Sequence, residues 1–177
     1  MKVFAYEGAW QIDHIVIVGV GGTGSALARL TARMLWQRGQ MGQSVPELYL
    51  IDPDVVELKN VIRQSFAVGD VDSPKARAIA LRYSLAYGLP IQWVAEAFDP
   101  DKHLPRGSIL VDCTDNHEAR RAIVKGIEQE KCVCLSNGNH TTFGQTILGG
   151  EYDRDKLEAM IVSMDGRVHS ITCRILA

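Results

Sequence analysis

The sequence predicts an α/β fold with helices on both faces of a mostly parallel sheet, and three observations lead there. Short runs rich in Val, Ile and Leu fall at about 13–19, 47–52, 91–96, 108–113 and 131–136, with helical patterns between several of them. The first run breaks into glycines at 19, 21, 22 and 24 immediately before an amphipathic stretch. Two carboxylates, Asp52 and Asp115, follow the second and fourth runs, where ligands sit in sheets of this kind. The pattern is that of a Rossmann-like, doubly wound domain.

Each element has its own warrant. The β-branched run ending at Val18 turns at the glycines into a helix over about 22–37, with Leu27, Leu30, Met34 and Leu35 on one side and Arg29, Arg33 and Gln37 on the other. Residues 38–46 read as a loop. A second helix starts at Ser73-Pro74, an N-cap followed by proline at the first position, and stops near Gly88. A third follows Asp115 and runs to about Gln129. Residues 144–150 suit a further strand, which leaves room for an antiparallel C-terminal extension. A helix over 153–164 and a strand over 168–176 complete the reading. The last run reaches Ala177 without a polar cap, so the expectation is a truncated domain or one completed by a partner.

With 177 residues, 46% of them hydrophobic, the expectation is a single domain over 1–177 with a sizeable core. Lys+Arg of 19 against Asp+Glu of 21 leaves a net charge of −2, so nothing marks a nucleic-acid or membrane-surface partner. No apolar run reaches the ~20 residues that span a bilayer. Residues 1–8 contain no long apolar segment of the secretory kind. The four cysteines, Cys113, Cys132, Cys134 and Cys173, form no C-x-x-C pair, which favours a reducing cytosol and no zinc.

The glycine pattern Gly19-x-Gly21-x-x-Gly24 lets the backbone turn sharply and lets a ligand approach, while the helix start offers N–H groups and a positive dipole end to phosphate. NAD enzymes, flavoproteins and methyltransferases use similar turns, so the glycines predict a nucleotide without naming it. Asp52 suits a ribose contact, or a turn before Pro53. If the chain turns helically after Asp54, then Asn60, Arg63 and Gln64 share a face, with Val56, Leu58 and Ile62 free to enter the core. Lys75 opens the next helix and can point the same way. An arginine and a lysine exceed what a dinucleotide needs and suit a magnesium-bound triphosphate of charge about −4. Asp115, with Glu118 three residues on, fits either a helix cap or a Mg²⁺ ligand.

These residues in this order resemble the ThiF/MoeB/HesA family of ubiquitin-activating-enzyme-like adenylyltransferases. The resemblance is carried by Gly19-Val-Gly21-Gly22-Thr23-Gly24-Ser25, Asp52-x-Asp54-x-Val56-x-x-x-Asn60-x-x-Arg63-Gln64, Pro74-Lys75-Ala76 and Asp112-Cys-Thr-Asp115-Asn116, and covers about residues 13–150. The stretch from Leu135 to Gln145 is similar to the PRTRC-system ThiF branch in particular.

The resemblance implies MgATP-dependent adenylation of a C-terminal carboxylate, on a ubiquitin-like or sulfur-carrier protein or a peptide, and a homodimer. By position it puts the glycines and Thr23 on the nucleotide with Asp54 and Gln64 beside them, and Asp52 on the ribose. Asn60, Arg63 and Lys75 fall on the phosphates, and Asp115 on Mg²⁺. Some members pass the activated carboxyl to a downstream cysteine, and Cys173 lies in that region. The chain departs from the family in having no arginine before Arg29 and no C-x-x-C pairs. An NAD(P)-dependent oxidoreductase would explain the glycines and Asp52 but leave Arg63, Lys75 and Asp115 idle. A non-catalytic pseudo-adenylase that keeps the fold as a binding module is the remaining alternative.

Overall fold

The computed structural model describes residues 12–129, 132–139 and 144–149. The elements run β1 (His14–Val18), α1 (Gly22–Gln40), β2 (Glu47–Ile51), α2 (Leu58–Val61), α3 (Lys75–Tyr87), β3 (Ile91–Val94), α4 (Pro100–His103), β4 (Ser108–Asp112), α5 (His117–Glu128), β5 (Cys132–Asn139) and β6 (Gly144–Gly149). A single turn of 3₁₀ helix covers Val68–Asp70. All six strands join one sheet in the order β3-β2-β1-β4-β5-β6. Neighbours among the first five are parallel, and β6 returns antiparallel to β5. The antiparallel extension therefore stands where the sequence placed a strand; the expected elements over 153–164 and 168–176 lie outside the described residues.

Alternation along the strands divides the core in two. Ile15 and Ile17 pack with Ala28, Leu35 and Ile79 under α1 and α3, while Val16 and Val18 pack with Leu110, Ile123 and Ile127 under α5. Val18 is in register with Ile51 on one side and Asp112 on the other, so three strands end level. The glycines after β1, Asp52 after β2 and Asp115 after β4 all follow from that edge.

Three local expectations are corrected. The buried face of α1 is Ala28, Thr31, Ala32 and Leu35, whereas Leu30 and Met34 are 54% and 44% exposed. Small side chains let the helix lie close to the sheet, so residue size was a poor guide to facing. Pro74, rather than Ser73, is the cap residue of α3, and Lys75 is its first helical residue. Its other end is as expected, with Gly88 in the left-handed region at φ +67°. Of Val56, Leu58 and Ile62 only Val56 enters the core, while Leu58 and Ile62 are 64% and 89% exposed. The helix there lasts four residues, too short to turn a whole apolar face inward. No helix among the described residues is long and apolar enough to cross a membrane.

Candidate nucleotide site

The glycine turn is tied to both neighbouring strand ends. The Gly19 N–H donates to the Ile51 carbonyl, and the Cys113 N–H to the Val18 carbonyl, each at 2.8 Å. Asp52 closes the turn from below. One carboxylate oxygen accepts from the Val20 N–H at 2.6 Å, and the other from the Asp54 N–H at 2.8 Å. The second contact is the aspartate turn that the sequence offered as the plainer reading. Burial pushes this carboxyl above the ordinary aspartate range, against the pull of the two N–H donors and the Lys75 ammonium.

The glycines separate into two groups. Gly19 has φ +86°, and a Cβ there would lie 2.8 Å from the Cys113 carbonyl oxygen. A Cβ on Gly24 would lie 1.8 Å from the Gly19 carbonyl oxygen, because α1 starts directly against the turn. These two positions need glycine for the fold itself. Gly21 and Gly22 do not. Among the described residues, Cβ atoms there would meet only Gln64 Nε2 at 3.8 Å and the Arg63 carbonyl oxygen at 3.9 Å. The described residues leave side-chain-sized space at the N-terminus of α1, and none of their side chains caps it.

The segment after β2 crosses over that space. Asn60 is buried and its Oδ1 accepts from the Glu57 N–H at 2.8 Å. The Gln64 N–H donates to the Asn60 carbonyl at 2.9 Å, so one helical turn persists beyond α2 and brings Arg63 and Gln64 to the glycines. Gln64 Oε1 is buried without a hydrogen-bond partner, an acceptor waiting for a donor. The Arg63 side chain is exposed and forms no hydrogen bond or ion pair with the described residues. Lys75 is largely buried and its Nζ lies 2.7 Å from the exposed carboxylate of Asp54. Ammonium and carboxylate hold one another close enough to Asp52 for both to act on its carboxyl.

Asp115 approaches from the opposite side. A Cβ on Gly19 would also lie 3.1 Å from the Thr114 nitrogen, so the loop after β4 touches the glycine turn. Asn116, not Asp115, caps α5, accepting from the Ala119 N–H at 2.8 Å. Asp115 is thereby released from the capping role that its spacing to Glu118 suggested, and its exposed side chain has no partner among the described residues. Among those residues no group of three or more His, Cys, Asp or Glu could hold a metal by itself. Magnesium does not need one, since it commonly takes one or two carboxylates together with substrate phosphates.

A buried polar cluster behind Asp115 escaped the sequence reading. Asp112 is fully buried and accepts from the Thr114 N–H at 2.9 Å, the Thr114 hydroxyl at 2.6 Å and the Ser136 hydroxyl at 2.6 Å. Arg120 Nε lies 3.6 Å from the same carboxylate, and its Nη2 donates to the Thr114 carbonyl at 3.0 Å. Arg120→Met should lower unfolding stability by about 3–5 kcal/mol in a urea titration, because it strands a buried charge. A change below about 1 kcal/mol would mean that the hydroxyls alone satisfy Asp112. Cys134 is buried, and burial pushes the Cys132 thiol up to about 12, so neither is poised to react. Cys173, the candidate nucleophile, lies outside the described residues.

Comparison with known proteins gives the family and the fold. A family model described as the ThiF family matches residues 6–167. Comparison with curated protein sequences gives no match. Among solved structures the chain is similar to E. coli MccB with AMPCPP and MccA, at 18% identity and a TM-score of 0.64, covering 88% of this chain and 48% of that one. It is similar also to E. coli MccB with MccA-N7isoASN, at 17% identity and a TM-score of 0.63, covering 88% and 49%. At these identities the likeness is one of fold, and the chain spans about half the length of those proteins.

Proposed function

The chain belongs to the ThiF family, and on that premise we propose that it is a MgATP-dependent adenylyltransferase acting on the C-terminal carboxylate of a peptide or small carrier protein. One observation carries the reading furthest. Nothing among the described residues requires glycine at Gly21 and Gly22, and the segment bearing Arg63 and Gln64 lies next to them. Space, an uncapped helix start and an unpaired guanidinium suit a polyphosphate. E. coli MccB, which shares the fold, has been crystallised with the nucleotide AMPCPP and with MccA.

In this mechanism the protein positions and neutralises. The glycine turn and the N-terminus of α1 receive the phosphates. Arg63 and Lys75 face their negative charge, with Lys75 exchanging its contact to Asp54 for a phosphate oxygen. Asn60 and Gln64 shape the wall. Asp52 fixes the turn, and its carboxylate would serve the ribose. Asp115 would hold Mg²⁺, whose contribution is to neutralise phosphate charge. A carboxylate oxygen of the substrate bonds to the α-phosphorus, the bridging bond to the β-phosphate breaks, and pyrophosphate leaves with the electron pair. No general base is needed, because the attacking group is already an anion at neutral pH. Its barrier falls through alignment and preorganised positive charge.

The single domain over 1–177, the homodimer and a thioester at Cys173 belong to the same reading as proposals. The test is ATP–pyrophosphate isotope exchange by the full chain, with and without a panel of peptides and small proteins ending in a free carboxylate. Carboxylate-dependent exchange is the expected result. Tight MgATP binding with no exchange across the panel would favour a binding module instead.

A further inference from the structure

We infer that Arg82 is a positioning residue for the nucleotide site, a latch that sets where Arg63 and Gln64 stand; the inference rests on the nucleotide reading above. Arg82 lies on α3, two turns beyond Lys75 and outside the glycine turn. Its guanidinium donates to the Ser65 carbonyl and pairs with the Asp70 carboxylate. The same Asp70 oxygen accepts from the Ala67 N–H at 2.7 Å. From the other side, the Ser65 N–H reaches the Ser25 hydroxyl at 3.4 Å, and that hydroxyl donates to the Gly22 carbonyl at 3.3 Å. Both polar groups of the Ser65 backbone are therefore tied, one to the glycine turn and one to α3.

The consequence falls on the two residues just before it. The Arg63 side chain has no partner among the described residues, so its direction is set by its backbone alone. Around it Leu58 and Ile62 face outward, and the buried side chains that anchor this stretch are Asn60 on one side and Phe66 on the other. Between those anchors the Arg82 contact is the charged tether. The pair with Asp70 is partly buried, with side chains 32% and 20% exposed, so it is weakly screened and geometrically specific. A loose Ser65 would let Arg63 swing off the phosphates while the sheet and the glycine turn stayed as they are.

The test is a double-mutant cycle read by calorimetric titration of the full chain with MgATP, below the melting temperature of every variant. Arg82→Met should weaken MgATP about tenfold in the native background and add little in an Arg63→Ala background, because its effect passes through Arg63. Equal losses in both backgrounds, or none in either, would overturn the latch. If Arg82→Met does not fold, Asp70→Asn, which removes the charge but keeps an acceptor for Ala67, serves in the same cycle with the same outcomes. Failure of the unsubstituted protein to bind MgATP would overturn the nucleotide reading and the latch together, whereas native binding with unchanged variants overturns the latch alone.

Discussion

Arg63→Ala and Asp115→Ala should each reduce carboxylate-dependent ATP–pyrophosphate exchange by ~10²-fold or more, the typical loss when a preorganised charge stabiliser is removed. Both should melt within about 2 °C of the unsubstituted protein. The two halves of the prediction come from one observation. Neither side chain has a partner among the described residues, and both are exposed, so the fold gains little from either. Charged side chains carried on segments that touch the glycine turn, and given nothing to bind among the described residues, are available to something else. Lys75 differs. It is largely buried and already engaged by Asp54, so Lys75→Ala would mix a catalytic loss with a stability loss. Normal exchange in both the Arg63 and Asp115 variants would remove them from the mechanism.

A second large effect separates the glycines from one another. Gly24→Ala would drive a methyl to 1.8 Å from the Gly19 carbonyl oxygen, and Gly19→Ala would force a left-handed backbone as well as a 2.8 Å contact. Each should cost more than about 4 kcal/mol, or prevent folding. Gly21→Ala and Gly22→Ala meet nothing closer than 3.8 Å, so they should fold and melt normally. Their MgATP affinity should nevertheless fall by about tenfold or more, since the methyl occupies ligand space. Thermal melts and calorimetry on the four variants decide it. Unchanged MgATP affinity in Gly21→Ala and Gly22→Ala would mean that the open space is not where the nucleotide lies.

The strands were legible because each is a short apolar run bounded by turn residues, and in a sheet covered on both faces such runs are nearly continuous. The Asp52 and Gly88 turns were legible from local chemistry alone. Helix facing was not. Ala28 and Ala32 of α1 face the sheet because they are small, whereas Leu30 and Met34 stay outside, and no local rule distinguishes a close-packed helix from a distant one. The cap of α5 was displaced by one residue, because Asp115 and Asn116 are both good caps and only the direction of the loop decides between them.

The family motifs point to Arg63, Lys75 and Asp115 as candidates. The residues that hold those motifs in place were invisible. Arg120 and Ser136 meet Asp112 from a helix and a neighbouring strand, and Arg82 meets Ser65 from 17 positions away. Such contacts are set by tertiary packing and leave no spacing to read.

The central claim is that the glycine turn receives a magnesium-bound nucleoside triphosphate rather than a dinucleotide. Calorimetric titration of the unsubstituted protein with MgATP and, separately, with NAD tests it most directly. The expected result is saturable heat with MgATP, weakened by Arg63→Ala, and none with NAD. Saturable binding of NAD by a protein indifferent to MgATP would contradict it.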